Sequence, residues 1–263
     1  ACGVLIRVGN MDELLKIKGL SLTENSLIFD DLSFILNYDE NYTMVCNDSK
    51  KLIELIIGLK STDSVCFNFL DLNEKNRKEI QKRISWIHED IDLNLLTDDV
   101  IAEMYERLTN YDWDYKKERV TEILDLFDID KNVEFKKCSY FEKCVICLAL
   151  NLVNKPKLLI IDKTFDLLGI DKFKQIVYFL KKYQKTSKLT ILNITNNLEY
   201  SLFFDNLIII NKKLILCDTL KNAYSLKLDD YRLPFNVSLS KYLQLYELID
   251  KNKEYSKLLV IFK

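Results

Sequence analysis

The residue best placed to do chemistry is Asp162, which ends the apolar run from Leu158 to Ile161 and is followed by Lys163. The run predicts a buried strand, and open α/β sheets bind ligands at the carboxyl ends of their strands. An aspartate at such a position can hold Mg²⁺ for a bound nucleotide. Hydrolysis would then need a carboxylate base, but Lys163 is cationic at neutral pH and cannot serve as one. The chain is therefore expected to be either an ATPase or an ATPase fold that has lost its chemistry.

The composition excludes several classes of protein. The chain has 263 residues, with 38 basic and 40 acidic residues and a net charge of −2. This balance argues against nucleic acid as the main partner. No apolar stretch approaches the ~18–20 residues of a membrane span, and residues 1–10 lack the pattern of a secretory signal. Because Met11 resembles a natural start, we expect residues 1–10 to be a cloning remnant or to be disordered.

The seven cysteines predict neither a disulfide framework nor a metal site. Their number is odd, they are scattered, and a chain of this size needs no covalent staples, so reduced cytosolic thiols are expected. The CxxC pair of Cys144 and Cys147 lies in an apolar helical pattern with no second pair and no histidine nearby. Core packing is favoured there over zinc or redox chemistry.

The elements that must position Asp162 alternate between strands and helices. Strands are predicted at residues 14–18, 32–36, 42–46, 83–88, 157–162, 189–195, 207–210, 213–217 and 258–262. Helices are predicted at residues 49–59, 98–108, 116–127, 139–153, 172–183 and 235–249. This alternation predicts an α/β fold with a parallel sheet, helices around it and a predominantly helical middle.

Several motifs follow one another in a recognisable order. The sequence Cys138-Ser-Tyr-Phe-Glu142 and its helix precede the strand that ends in Asp162, while residues 83–89 come before them and residues 192–199 after them. From residue 11 to 224 the chain thereby resembles the nucleotide-binding (ATPase) subunit of ABC transporters, with Asp162 at the Walker B position. Residues 97–100 and 233–240 are similar to segments of the energy-coupling-factor (ECF) importer ATPases.

The resemblance implies a P-loop NTPase-like ABC ATPase fold, in which a mixed sheet core carries a helical subdomain. The ATPase-like domain would comprise residues 11–224, with the helical subdomain at about 92–152 and a small α/β extension at 225–263. By the same resemblance the cofactors would be ATP and Mg²⁺. The partners would be a homologous ATPase subunit and an integral membrane subunit, on the cytoplasmic face of the cell membrane.

The phosphate loop departs most from the family pattern. It should contain G-x-x-x-x-G-K-S/T, whose backbone amides cradle phosphate, but residues 44–52 contain no glycine. Counting back from Gly58 puts Ser49 at the lysine position and Lys50 and Lys51 at the Ser/Thr positions, whereas a shift of one residue would give Lys50 the phosphate-binding role. The degenerate loop consists of Asn47, Asp48, Ser49, Lys50 and Lys51.

A negative charge also stands where phosphate would bind. Asn47 or Asp48 occupies the N-cap position of the following helix, at the positive end of the helix dipole. A carboxylate at Asp48 would repel a polyanion there. An ordinary capped strand–helix turn is therefore favoured over a residual phosphate site.

The signature segment has lost its glycines. Ser139 is retained, but Tyr140 and Phe141 replace the two glycines and Glu142 the glutamine. In the family this segment contacts the γ-phosphate of a nucleotide held by the opposite subunit, and two aromatic side chains should block that approach. Ser139 is predicted to be the N-cap of the following helix.

The remaining family positions are altered as well. Glu89 replaces the Q-loop glutamine and could ligate Mg²⁺ or be a surface residue, and Asn196 replaces the switch histidine and cannot carry a proton. Gly169 replaces the D-loop aspartate, with Asp171 predicted as a helix cap. Thr23 and Glu24 stand where an adenine-stacking aromatic is expected, and His88, the single histidine, is predicted to be partly buried.

Together these changes favour a degenerate, non-hydrolysing subunit that acts as a structural or regulatory partner of an active ATPase. Loss of the base alone costs ~10²–10⁴-fold in rate. One alternative is a working ATPase that uses Lys50, Asp162 and Glu89, and another is a free-standing scaffold. The predicted helix at 235–249 would be a dimer contact or would pack on its own core.

Overall fold

The computed structural model describes residues 12–110, 114–226, 228 and 231–245. The strands in these ranges are β1 (Glu13–Thr23), β2 (Leu27–Asn37), β3 (Asn41–Cys46), β4 (Val65–Phe67), β5 (Leu70–Asp71), β6 (Ile84–Ile87), β7 (Leu158–Asp162), β8 (Thr190–Ile194), β9 (Asn206–Asn211) and β10 (Lys213–Thr219). The α-helices are α1 (Ser49–Ile56), α2 (Arg77–Gln81), α3 (Val100–Asn110), α4 (Lys116–Phe127), α5 (Tyr140–Leu152), α6 (Ile170–Gln184), α7 (Leu220–Ser225) and α8 (Phe235–Leu245). Short 3₁₀ helices lie at Ile91–Asn94, Phe135–Lys137 and Leu198–Phe203.

A six-stranded sheet forms the centre of the fold. Its order is β10-β9-β3-β8-β7-β6, and all its strands are parallel except β10, which pairs antiparallel with β9. Every residue of β7 is buried because both faces of the sheet are covered. The predicted parallel sheet is confirmed. Since parallel strands share one carboxyl edge, the segments after β3, β6, β7 and β8 meet there.

A second, antiparallel sheet covers one face of the first, in the order β2-β1-β4-β5. Its apolar residues pack with α1 and with the alternate residues of β7, Leu158 and Ile160, in one core cluster. The sequence patterns did not predict β4, β5 or α2. These elements have three, two and five residues, which is too short for a hydrophobic period to show.

The helices α3, α4, α5 and α6 cover the opposite face, where Leu159 and Ile161 of β7 point into a second core cluster. Arg119 of α4 is buried among them and donates from Nε to the Val153 carbonyl (2.8 Å) and from Nη2 to the Leu152 carbonyl (2.7 Å). These carbonyls end α5 and lack partners within the helix. Arg119 thereby fixes the carboxyl end of the helix that leads into β7.

The C-terminal elements pack on the edge of the central sheet. Tyr224 of α7 and Val237 of α8 share a cluster with Leu207 and Ile209 of β9. The helix predicted at 235–249 is confirmed as far as Leu245, and the predicted strand at 258–262 lies outside the described residues, as do residues 1–10. None of the helices in the described ranges combines the length and the apolar composition of a membrane crossing.

Candidate functional site

The carboxyl edge of the central sheet brings Ser49 and Asp162 into contact. The Ser49 hydroxyl at the start of α1 donates to Asp162 Oδ1 at 3.0 Å, and both residues are 2% exposed. In P-loop proteins the Ser/Thr of the phosphate loop and the Walker B aspartate hold Mg²⁺ between them. A register that equates Ser49 with this Ser/Thr would put Asp48 at the lysine position. This register differs by one residue from the one that counting from Gly58 predicts.

Burial controls the ionisation of Asp162. Desolvation raises the pKa of its carboxyl, while the Ser49 hydrogen bond and the charge of Lys163 act in the opposite direction. The net result is a pKa above the usual range for an aspartate. An ionised Asp162 is thus an electrostatic cost to the folded chain.

The turn before α1 is very short. Only Asn47 and Asp48 separate the end of β3 from the start of α1. Both are exposed, and Asp48 occupies the N-cap position without a side-chain capping bond. Asp48 therefore occupies the predicted N-cap position, but its side chain does not make the capping hydrogen bond. Lys50 is exposed, and its side chain lies on the solvent side of the helix start.

Glu24, in the turn between β1 and β2, forms ion pairs with Lys51 of α1 and with Lys60, which follows α1 in the chain. Lys51 Nζ lies 2.9 Å and Lys60 Nζ 2.8 Å from its carboxylate oxygens, and Lys60 also lies 3.4 Å from Glu54. These hydrogen bonds, from Lys60 first and then Lys51, lower the pKa of Glu24. Of the two lysines in the degenerate loop, Lys51 is thus paired with a carboxylate. No local pattern reveals this contact, because the two residues are far apart in the chain.

Lys163 follows Asp162 in a left-handed backbone conformation with φ 55°. Its amide continues the sheet by donating to the Ile194 carbonyl at 2.9 Å. No salt bridge joins the Lys163 side chain to Asp162 in the part of the chain that the structure describes. The lysine nevertheless acts at longer range, because its charge opposes the rise in pKa of Asp162.

The sequence motifs did not indicate Asp166, which lies in the loop after β7 at the carboxyl edge of the central sheet. Its carboxylate accepts hydrogen bonds from the Thr195 hydroxyl and from the amide of Asn196 at 2.9 Å. Burial raises the pKa of Asp166 despite these bonds. Asp166 therefore anchors the segment that contains Asn196, whose side chain is exposed. A second carboxylate four residues after Asp162, in the loop at the same sheet edge, was the signal that could have revealed it.

The segment after β6 reaches the same edge. Glu89 is exposed, yet its charge raises the pKa of both Asp162 and Asp166, so the three carboxylates face one region. His88 is partly buried, as predicted, with its ring 5.1 Å from that of Trp86. Within the described residues no group of three or more His, Cys, Asp or Glu side chains has the arrangement of a metal site. Magnesium ligation by Glu89 stays a prediction.

The signature segment begins α5 with a complete capping box. The Ser139 hydroxyl accepts from the Glu142 amide, and the Glu142 carboxylate accepts from the Ser139 amide at 2.7 Å. The predicted N-cap is confirmed. Hydrogen bonds from the Ser139 hydroxyl, at 2.7 Å, and from the Ser139 amide to its carboxylate lower the pKa of Glu142, so a carboxylate stands at the start of the helix. By contrast, the predicted cap by Asp171 is wrong, because Gly169 is the N-cap of α6.

The CxxC pair is part of the core. Cys144 and Cys147 are both fully buried in α5, and burial raises the pKa of the Cys144 thiol to about 12. Such thiols are not reactive at neutral pH. The predicted packing role is confirmed.

The two packed sheets and the helical segment between β6 and β7 have the fold of ABC transporter ATPase domains. A family model described as ABC transporter matches residues 50–166. The chain is 26% identical over 205 residues to the energy-coupling factor transporter ATP-binding protein EcfA1 of Oenococcus oeni, covering 73% of this chain and 74% of the relative. It is 23% identical to EcfA1 of Ligilactobacillus salivarius over 84% of this chain and 82% of that one.

Solved structures show the same fold. The chain matches cbiO1 from Clostridium perfringens, described as part of the ABC transporter complex cbiONQ, with a TM-score of 0.76 and 20% identity. The match covers 90% of this chain and 99% of cbiO1. A second structure, an ATP-binding subunit of an ABC transporter, gives a TM-score of 0.69 at 17% identity, covering 94% of this chain and 98% of that one. The predicted ABC ATPase fold is confirmed.

Replacing Asp162 by asparagine should stabilise the chain at neutral pH. The raised pKa means that the carboxyl favours folding below its unfolded pKa of about 3.9 and loses that contribution as the pH rises through the higher folded value. An amide oxygen can still accept from Ser49. We expect Asp162→Asn to raise Tm at pH 7 by ~2–4 °C, the shift that about 1 kcal/mol produces in a chain of this size.

Thermal melts at pH 7 and pH 4 check this expectation. The gain of Asp162→Asn should shrink towards zero at pH 4, where the wild-type carboxyl becomes protonated. Asp63→Asn is the matched control, because Asp63 is exposed in the loop between α1 and β4 and should not move Tm. A Tm for Asp162→Asn below that of the wild type at pH 7 would contradict the prediction.

Proposed function

We propose that this chain is a non-hydrolysing ABC-type subunit of a membrane importer of the ECF kind, acting as a structural or regulatory partner of an ATPase. The observation that carries the proposal is the turn of Asn47 and Asp48 between β3 and α1, with Ser49 bonded directly to Asp162. The shape of a nucleotide-binding edge is retained there, and its phosphate-binding parts are missing.

The turn supplies little to a phosphate. A phosphate cradle needs several backbone amides that converge on the anion, which a two-residue turn without glycine cannot provide. Asp48 places a carboxylate at the positive end of α1 instead. Each feature opposes the binding of a polyanion, so the residues present do not fit MgATP.

Two of the positive charges near the turn are paired with a carboxylate. Lys51 and Lys60 share the Glu24 carboxylate, which stands near the position of the family's adenine-stacking residue. Freeing either lysine for a phosphate would leave Glu24 facing that phosphate. The ion pairs therefore favour the nucleotide-free state.

The surface that would face a partner's nucleotide also carries a change that opposes phosphate binding. In the family the signature segment contacts the γ-phosphate held by the opposite subunit, but here the Glu142 carboxylate occupies the start of α5 and engages Ser139. We infer that this chain gives a partner ATPase a shaped surface and no phosphate contact. Its contribution would then be structural at both nucleotide sites of a pair.

The relatives support a place in a transporter. The curated relatives are ECF transporter ATP-binding proteins, and cbiO1 is described as part of an ABC transporter complex. In this chain Leu93 and Leu96, just after β6, are 64% and 83% exposed. The residues before them, Glu89 to Asp92, line a cavity of about 370 Å³ together with Tyr140 and Lys143. Exposed apolar side chains beside a cavity favour the docking of an apolar helix from a membrane subunit.

Calorimetric titration of the purified chain with MgATP tests the proposal. We expect no heat of binding up to millimolar ATP, because the turn before α1 lacks the converging amides that phosphate needs and carries the Asp48 carboxylate. A relative with an intact glycine-containing loop, titrated under the same conditions, is the positive control. A Kd in the micromolar range or tighter would overturn the proposal.

A further inference from the structure

One face of α5 attaches the helix to the core along its whole length. Tyr140, Lys143, Cys147 and Asn151 are spaced three, four and four residues apart, so they lie in a single row. The Tyr140 hydroxyl donates to the Thr164 carbonyl at 2.5 Å, and Lys143 Nζ donates to Asp92 at 2.6 Å. Cys147 contacts the Ile91 carbonyl at 3.8 Å, and the Asn151 carbonyl accepts from Ser85 at 2.8 Å.

Thr164 connects this row to the segment after β6. Its side chain is 1% exposed, and its hydroxyl donates to the His88 carbonyl at 2.9 Å. The loop after β7 therefore accepts a hydrogen bond from Tyr140 of α5 and donates one to the His88 carbonyl after β6. Burial raises the pKa of Tyr140, so its hydroxyl stays a donor at physiological pH.

The side chain of Asn94 cross-links the backbone of the segment after β6. Its Oδ1 accepts from the His88 amide at 2.8 Å, and its Nδ2 donates to the carbonyls of His88, Asp90 and Ile91. Arg107 of α3 adds a bond from Nη2 to the Asn94 carbonyl at 2.8 Å. The segment that links the core to the helices is thus held from both sides.

The second aromatic of the signature segment makes a separate contact with the core. The ring of Phe141 lies 4.4 Å from Lys172 Nζ, on the first turn of α6. Glycine has no side chain, so a chain with glycines at positions 140 and 141 could make neither this contact nor the bond to Thr164. Both contacts are therefore consequences of the two glycine replacements.

We propose that Tyr140 and Phe141 form an intrachain latch that holds α5 against the loop after β7 and α6, so that the helical segment keeps one orientation without nucleotide. The latch is carried by contacts within this chain and goes beyond the proposed function, because it would operate with any partner. Its strongest member is the Tyr140 hydroxyl bond, which joins a partly buried donor to a backbone acceptor.

Hydrogen exchange measured by mass spectrometry tests the latch in the full chain. Tyr140→Phe keeps the ring and removes the hydroxyl, and we expect exchange in residues 139–147 and 163–168 to rise about five-fold, as loss of one hydrogen bond predicts. Tyr178→Phe is the matched control, because Tyr178 is exposed on α6 and its variant should exchange like the wild type. Exchange in Tyr140→Phe equal to that of the wild type would overturn the proposal.

A second variant keeps the test decisive if Tyr140→Phe does not fold. Phe141→Leu removes the ring contact with Lys172, which is the other contact of the latch, and its exchange in residues 139–147 and 170–174 should rise by a smaller factor. Unchanged exchange in both segments would overturn the latch.

Discussion

Restoring a carboxylate at the base position, in Lys163→Glu, is expected to leave phosphate release from MgATP at background. An ABC ATPase gains ~10²–10⁴-fold from its general base, but the gain requires a bound and oriented nucleotide. The turn of Asn47 and Asp48 and the ion pairs of Glu24 oppose that binding. The wild type and Lys163→Glu should therefore both remain at least ~10²-fold below a relative with intact motifs.

The control for this experiment separates charge from base chemistry. Lys163→Gln removes the cation next to Asp162 without adding a base, so any effect shared with Lys163→Glu arises from the lost charge. Phosphate release in Lys163→Glu that exceeds Lys163→Gln by ~10²-fold or more would show that ATP does bind. If that activity disappeared when Asp162→Asn was added, the chain would be a working ATPase with altered groups.

Co-purification with the membrane subunit should fall at least ten-fold in Leu96→Asp. Leu93 and Leu96 are exposed in the segment after β6, whose residues Glu89 to Asp92 line the cavity. Burying one leucine in an interface contributes roughly 1.5–3 kcal/mol, and a buried unpaired carboxylate costs more. Since 1.4 kcal/mol is a ten-fold change in affinity, the variant should lose most of the complex. Pull-down of tagged chain from co-expressing membranes measures it.

Leu59→Asp is the matched control for the docking surface. Leu59 is 61% exposed and follows the carboxyl end of α1, so it lies away from the segment after β6. It receives the same charge and should retain the membrane subunit. Equal recovery of Leu96→Asp and Leu59→Asp would contradict docking at this surface. If the wild type recovered no membrane subunit either, a free-standing scaffold would be favoured.

The hydrogen bonds of the latch and of the altered site join neighbouring segments of the chain. Asp166 holds the segment of Asn196, Asn94 holds the segment after β6, and Tyr140 holds the start of α5. These are the parts that surround a nucleotide site in the fold, and each is tied to its neighbour by a side-chain hydrogen bond. The proposed non-hydrolysing role would require no mobility of these segments.

Short-range patterns were sufficient for the elements that frame the site. The continuous apolar run predicted β7, the helical period predicted α4 to its observed bounds, and Ser139 followed by Glu142 predicted the capped start of α5. Each signal lies within a few residues of the structure it predicts, because strand burial, helix faces and caps are local properties. The absence of glycine from residues 44–52 was equally plain in the sequence.

What local patterns could not predict is which of these residues meet. The bond of Ser49 to Asp162, the pairing of Glu24 with Lys51, the hold of Asp166 on Asn196 and that of Tyr140 on Thr164 span 113, 27, 30 and 24 positions. They form because parallel strands end at one edge of the sheet and because α5 packs against it. Composition and motif order thus established an ABC ATPase-like chain with altered motifs, whereas the packing of sheets and helices determined which altered residues contact each other.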